Sequence, residues 1–100
     1  MNRIIPAGLI SVGFQKITTN STATALNSTC SVGSSFLIST ETQSARIRFD
    51  AGTPAASTGV LLTAAAGPYF FDGVNGANIR IARAAAGAVV QVQAWKRPGQ

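Results

Sequence analysis

The sequence predicts an all-β protein, an antiparallel β-sandwich of about eight short strands with a jelly-roll-like organisation. Three observations predict it. In residues 45–50 apolar and charged side chains alternate, so an extended chain sets Ala45, Ile47 and Phe49 on one face and Arg46, Arg48 and Asp50 on the other. The same period returns near the C-terminus, with Ile79 and Ile81 opposed to Asn78, Arg80 and Ala82, and Val90, Val92 and Ala94 opposed to Val89, Gln91, Gln93 and Trp95. Finally, clusters of Gly, Pro, Asn and Asp separate the apolar runs at nearly the spacing of strands in a sandwich or barrel. Periodicity assigns faces, whereas strand order is a matter of long-range pairing.

Each element follows from its residues. Residues 1–7 read as an extended arm, because Pro6 confines Ile4-Ile5-Pro6 to a sheet edge or a tail that docks on a neighbour. One domain, residues 8–96, comes next. Its first long strand is GLISVGFQKIT, Gly8 to Thr18, with a bulge or bend at Gly13. From Thr18 to Ser35 many Ser, Thr and Asn side chains compete for backbone hydrogen bonds and weaken helix, while the strand propensity of Thr and the lack of charge predict an ordered β segment with Ala23, Ala25, Leu26 and Cys30 inward. Phe36 to Thr40 is a buried strand closed by the turn Glu41-Thr42-Gln43. After the strand at 45–50, Ala51-Gly52-Thr53-Pro54 reverses the chain. Gly59 to Thr63 is a short strand ended by Ala64-Ala65-Ala66-Gly67-Pro68, an alanine run too short to nucleate a helix. Tyr69-Phe70-Phe71 extends again, and Asp72-Gly73 and Asn75-Gly76 each suit a tight hairpin turn. Strands from Ala77 to Arg83 and from Ala88 to Trp95 flank the turn Ala84 to Gly87, and residues 97–100 form a polar tail.

Composition bounds the function. The chain has 100 residues, enough for one domain, and 46% of them are apolar, but much of that is alanine, with five Phe, one Tyr and one Trp. The core is therefore thin, as between two sheets. Charged residues make up 11%, well below the roughly 25% of an ordinary soluble domain. A surface so poor in charge favours one partly covered by other subunits, in a homo-oligomer or a larger assembly, over the alternative of a small neutral-surfaced monomer. The net charge of +5 comes from basic residues dispersed along the chain rather than in a run, which favours a solvated or interfacial face and keeps nucleic acid as an alternative partner.

Reaction chemistry finds no support in the residues. With no histidine in the chain and one cysteine, Cys30, neither a Cys-His pair nor an ordinary zinc site nor an intrachain disulfide is expected, and Cys30 reads as a buried apolar thiol. The three acids, Glu41, Asp50 and Asp72, fall in or beside predicted turns. No enzyme activity and no cofactor are expected. Gly73-Val74-Asn75-Gly76 lacks the lysine and the strand-to-helix setting of a phosphate loop. Asn20 and Asn27 begin Asn-Ser-Thr triplets, yet the apolar run after Met1-Asn2-Arg3 is broken by Pro6 and Gly8, so neither a secretory signal nor a membrane span is expected, and synthesis is cytoplasmic.

Candidate contact residues are the arginines and two aromatics. Arg46 and Arg48 share one strand face, and Arg80 lies on the polar face of a similar strand with Arg83 near its end; if the strands are neighbours, the guanidinium groups converge and call for carboxylates or phosphates between them. Tyr69 and Trp95 are of the types that anchor interfaces. A regular last strand puts Trp95 on the outer face, whereas a bulge returns it to the core.

The run Ala45-Arg46-Ile47-Arg48-Phe49-Asp50, then Gly52-Thr53-Pro54 and Gly59-Val60-Leu61-Leu62, with the later Ile79-Arg80-Ile81-Ala82-Arg83-Ala84 and Val90-Gln91-Val92, resembles the small all-β virion proteins of tailed bacteriophages. The resemblance covers roughly the C-terminal 60 residues and is one of general pattern. It implies a capsid cement or decoration protein that joins the virion, binds the major capsid protein or other virion proteins and oligomerises there, with a head-tail junction or tail component as the alternative. The Thr/Ser-rich N-terminal region departs from the pattern.

Overall fold

A computed structural model describes residues 8–20, 22–55 and 57–97; the predicted arm, residues 1–7, and the end of the polar tail lie outside the described residues. Eight strands follow in chain order: β1 (Ile10–Thr18), β2 (Thr24–Ala25), β3 (Ser35–Glu41), β4 (Ala45–Arg48), β5 (Val60–Leu62), β6 (Tyr69–Asp72), β7 (Arg80–Arg83) and β8 (Val89–Lys96), with a single 3-10 turn, Gly76–Asn78, before β7. They form two four-stranded antiparallel sheets, ordered β1-β8-β3-β6 and β2-β7-β4-β5.

That order has a simple origin. The pairs β4-β5, β3-β6, β2-β7 and β1-β8 are nested, as in one long antiparallel ribbon folded at the β4-β5 hairpin. Two further pairings, β3-β8 and β4-β7, arise when the ribbon wraps on itself and splits into two layers. This is the connectivity of a jelly roll, which buries the inner faces of two sheets against each other. The predicted fold class is what the chain adopts.

The core sits between the layers. The first sheet contributes Ile17, Phe36, Ile38, Val90, Val92 and Ala94, and the second contributes Ala45, Ile47, Leu62 and Ile81. The alternation read from the sequence is the alternation of burial along β4 and β8. Phe49 follows β4 and meets Phe71 of β6 at a ring-centroid distance of 4.8 Å, closing one end of the sandwich. The molecule is 18 Å across its shortest axis, the thickness of two sheets and their outward side chains.

Three local expectations need correction. The region from Thr18 to Ser35 holds only the two-residue strand β2; the chain changes sheets twice there, and the crossings are turns held by local bonds. Asn27 Oδ1 accepts from the Cys30 N–H (2.9 Å) and from Thr29 Oγ1 (2.8 Å), the side-chain-to-backbone competition that defeats a longer strand. Leu26 and Cys30 are buried, but Ala23 is half-buried and Ala25 exposed. Asn75-Gly76 is not a hairpin, because β6 and β7 lie in opposite sheets; Asn75 instead caps the 3-10 turn, its Oδ1 accepting from the Ala77 N–H at 3.0 Å. Ala77 and Asn78 belong to that turn, so β7 begins at Arg80. The irregularity predicted at Gly13 is a bulge: the β1-β8 register shifts between Ser11 and Gly13, leaving Val12 as the extra residue.

Candidate interaction faces

Residues directly opposite in an antiparallel pair point to the same face. On the outer face of the second sheet, Arg48 is opposite Arg80, and Arg46 is opposite Ala82 on one side and Leu61 on the other. Three of the four candidate arginines thus share one face. Like charges directly opposite repel, and each guanidinium is held to a different anchor. Arg48 makes a two-pronged contact with Asp50, Nε to Oδ1 at 3.0 Å and Nη2 to Oδ2 at 2.6 Å. Arg80 Nη1 donates to the carbonyls of Ala77 and Ile79, both at 2.9 Å, and Arg46 Nη1 donates to that of Gly59 at 3.1 Å. Arg48, and next the Gly52 N–H, hold the Asp50 carboxyl below the usual aspartate range. Three arginines on one sheet face make it basic, the polarity that an anionic surface complements.

The remaining candidates lie elsewhere. Arg83 is opposite Ala45, which is fully buried, so it ends an inward row and is half-buried at the open end of the sandwich. Tyr69 stands on the inward row of β6, stacked on Phe71 with centroids 6.4 Å apart, and its hydroxyl accepts from the Thr63 N–H at 3.0 Å. Hydrogen bonds with Thr63, side chain first and backbone next, hold the pKa of that hydroxyl below the usual tyrosine value and tie the end of β5 to the start of β6. The strand β8 pairs regularly with β3, so Trp95 stays on the outer face of the first sheet, its ring 6.3 Å from that of Phe70.

That outer face carries residues the sequence reading did not single out. Phe14, Gln93, Leu37 and Phe70 are in register across the four strands, with Trp95 in the adjoining row. Phe14 is 55% exposed. The signal was present in the outward phase of each strand, but a lone outward apolar residue per strand becomes a row only once the order β1-β8-β3-β6 is known. Near one corner Ser35 Oγ, fully buried, donates to Asp72 Oδ1 at 2.5 Å, and Arg97 Nη2 donates to Asp72 Oδ2. The Ser35 bond first, and Arg97 to a smaller extent, keep Asp72 ionised below the usual range. Gln91 Nε2 donates to Glu41 on the same sheet.

Each of the three acids is therefore engaged with its own neighbour, on three different parts of the surface. Among the described residues no group of three His, Cys, Asp or Glu side chains is placed to hold a metal ion, and no helix is long and apolar enough to cross a membrane. Burial raises the Cys30 thiol above its ordinary value, partly opposed by Thr29. An open depression of about 390 Å³ lies between residues 32–34 and 73–75, with Arg97 at its rim. The molecule is a jelly-roll sandwich with an arginine-bearing outer face and an aromatic one. No protein-family model, curated protein or solved structure matches the chain.

Proposed function

We propose that this chain is a non-enzymatic structural protein of a virion that binds the capsid surface and bridges neighbouring coat subunits, with the major capsid protein or other virion proteins as its partners. The observation that carries the reading is the division of contact chemistry between two outer faces of one thin plate. Arg46, Arg48 and Arg80 stand on one side and Phe14, Leu37, Phe70 and Trp95 on the other. A plate adhesive on both sides, with only 11% charged residues, suits a position between other subunits better than free solution. Burying such faces across a subunit boundary favours the assembled shell by mass action. The resemblance to small phage virion proteins supports the same reading.

Binding of the purified chain to particles that lack it tests the proposal. Arg48→Glu combined with Arg80→Glu should abolish attachment, with urea unfolding of the double variant separating that loss from a loss of fold, since Arg48 also holds Asp50. Unchanged attachment means that the arginine face is not the contact. A head-tail junction or tail component is the alternative within the virion, and it is separated by copy number per particle. Three arginines on one sheet face also favour a second reading, a basic β-module on nucleic acid. Affinity for single- or double-stranded DNA that falls steeply with salt supports that reading, and no binding at low salt removes it.

A further inference from the structure

The long strand β1 is the first of its sheet, and no described segment lies alongside its outer edge as a strand. The other three sheet edges are short: β2 has two residues, β5 three and β6 four, against nine in β1. The phase of the β1-β8 ladder fixes which backbone groups are left over. Thr19 N–H donates to the Ala88 carbonyl, and the register continues through Ile17↔Val90 and Gln15↔Val92. In an antiparallel ladder alternate residues bond the same neighbour, so Ile17 and Gln15 face β8, while Thr18, Lys16 and Phe14 turn their N–H and C=O groups to the open edge. An edge of this length is a template for another extended chain.

We propose that β1 pairs antiparallel with β1 of a second copy of this chain, about a two-fold axis at Gln15, joining the two β1-β8-β3-β6 sheets into one sheet. The occupant follows from the edge itself. The segment from Gly13 to Ile17, regular because the bulge at Val12 lies outside it, is centred on Gln15. Pairing about that centre sets Phe14 of each copy opposite Lys16 of the other, both on the outer face and both with main-chain groups turned to the edge. Each such pair exchanges two backbone hydrogen bonds, and each ammonium meets an aromatic ring. Centring on Lys16 would oppose two like charges, and centring on Phe14 would bring the bulge residue Val12 opposite Lys16 and leave regular pairing only from Gly13 to Gln15. The pairing is isologous and closes on itself as a dimer. It also extends the aromatic face across the junction. The proposal does not rest on the virion reading, and it is tested on the isolated protein.

Sedimentation of the full chain from about 100 µM to about 1 µM reads the dimer. The expected mass at the top of that range is twice 10.2 kDa, returning to the monomer on dilution. Amide exchange identifies the edge: Phe14 and Lys16 should be slow in the dimer and fast on dilution, while Gln15 and Ile17 stay slow throughout. Phe14→Lys, at a position more than half exposed, places lysine opposite lysine and should weaken the dimer at least tenfold. Phe14→Glu places glutamate opposite Lys16 and should leave it as tight or tighter. Lys16→Pro, which removes a donor that the β8 ladder does not use, should give a folded monomer even if either Phe14 variant fails to fold. A chain that is monomeric at about 100 µM, a dimer indifferent to Phe14→Lys, or slow edge amides in the monomer would each overturn the pairing. Equal weakening by Phe14→Glu and Phe14→Lys would overturn the register.

Discussion

Gly76→Ala isolates the closure of the β6-β7 crossover against the rest of the sandwich. Gly76 is buried, and a Cβ there would stand 2.7 Å from Phe36 Cζ, 2.8 Å from the Ser31 carbonyl oxygen and 3.0 Å from the Gly33 carbonyl oxygen. Two of those three atoms are backbone, in the turn between β2 and β3, and the third belongs to a fully buried ring, so none can step aside alone. Its backbone is not in the left-handed region, which leaves overpacking as the cost, about 2 kcal/mol. For a domain of this size that is a fall of roughly 10 °C in melting temperature. Gly73→Ala is the matched control: its Cβ meets nothing within 4 Å, but φ is +73°, so alanine there costs about 1 kcal/mol through the backbone alone. Urea and thermal unfolding of the two variants measure the difference. If Gly76→Ala is as stable as the parent, or no worse than Gly73→Ala, the turn at 31–33 does not pack on the crossover and the described closure is wrong.

Other predictions concern acidity, the thiol and the aromatic end of the core. Asp50 and Asp72 are both held below their ordinary values, Asp72 by Ser35 and Arg97, which only folding brings to it, so the stabilisation is complete above the unfolded aspartate value near 4 and is lost as pH falls through the lower folded values. The urea midpoint should therefore drop below about pH 4, and Asp72→Asn should flatten that drop; a midpoint constant down to about pH 2 would contradict it. Cys30 is fully buried, so a thiol reagent should label it only after unfolding, and rapid labelling of the native chain would mean that the 27–31 turn opens. Phe71→Ala removes the contact with Phe49 and the stacking on Tyr69, and since Phe71 is only half-buried the loss should be near the lower end of the range for aromatic truncations, about 3 kcal/mol by denaturant unfolding. A loss below about 1 kcal/mol would show that this end of the sandwich is not closed by these rings.

The legible part of the fold was whatever repeats with period two. Ala45, Ile47, Val90, Val92 and Ala94 showed their inward faces because a half-buried strand writes its burial into alternation. The two changes of sheet between Thr18 and Ser35 were not legible, because Ser, Thr and Asn fit a strand and a side-chain-bonded turn equally well. Asn75-Gly76 carried hairpin chemistry, but whether such a pair caps a hairpin or a crossover depends on which strands neighbour each other, and that is set by contacts far apart in sequence. The same holds for the faces. Arg46 and Arg48 were visibly together, yet their junction with Arg80, and the separation of Arg83 by one register position, required the β4-β7 pairing. The row of Phe14, Leu37 and Phe70 was spread over three strands from different parts of the chain and became a surface only in the folded sheet.

The proposed role makes this chain a component of a virion shell. Quantitative mass spectrometry of purified particles measures it directly, as the ratio of this chain to the major coat protein. A cement role requires many copies per particle, in a fixed ratio to the coat subunit. Absence from the particle would contradict the virion reading, and a few copies per particle would contradict the cement role and favour the head-tail or tail position.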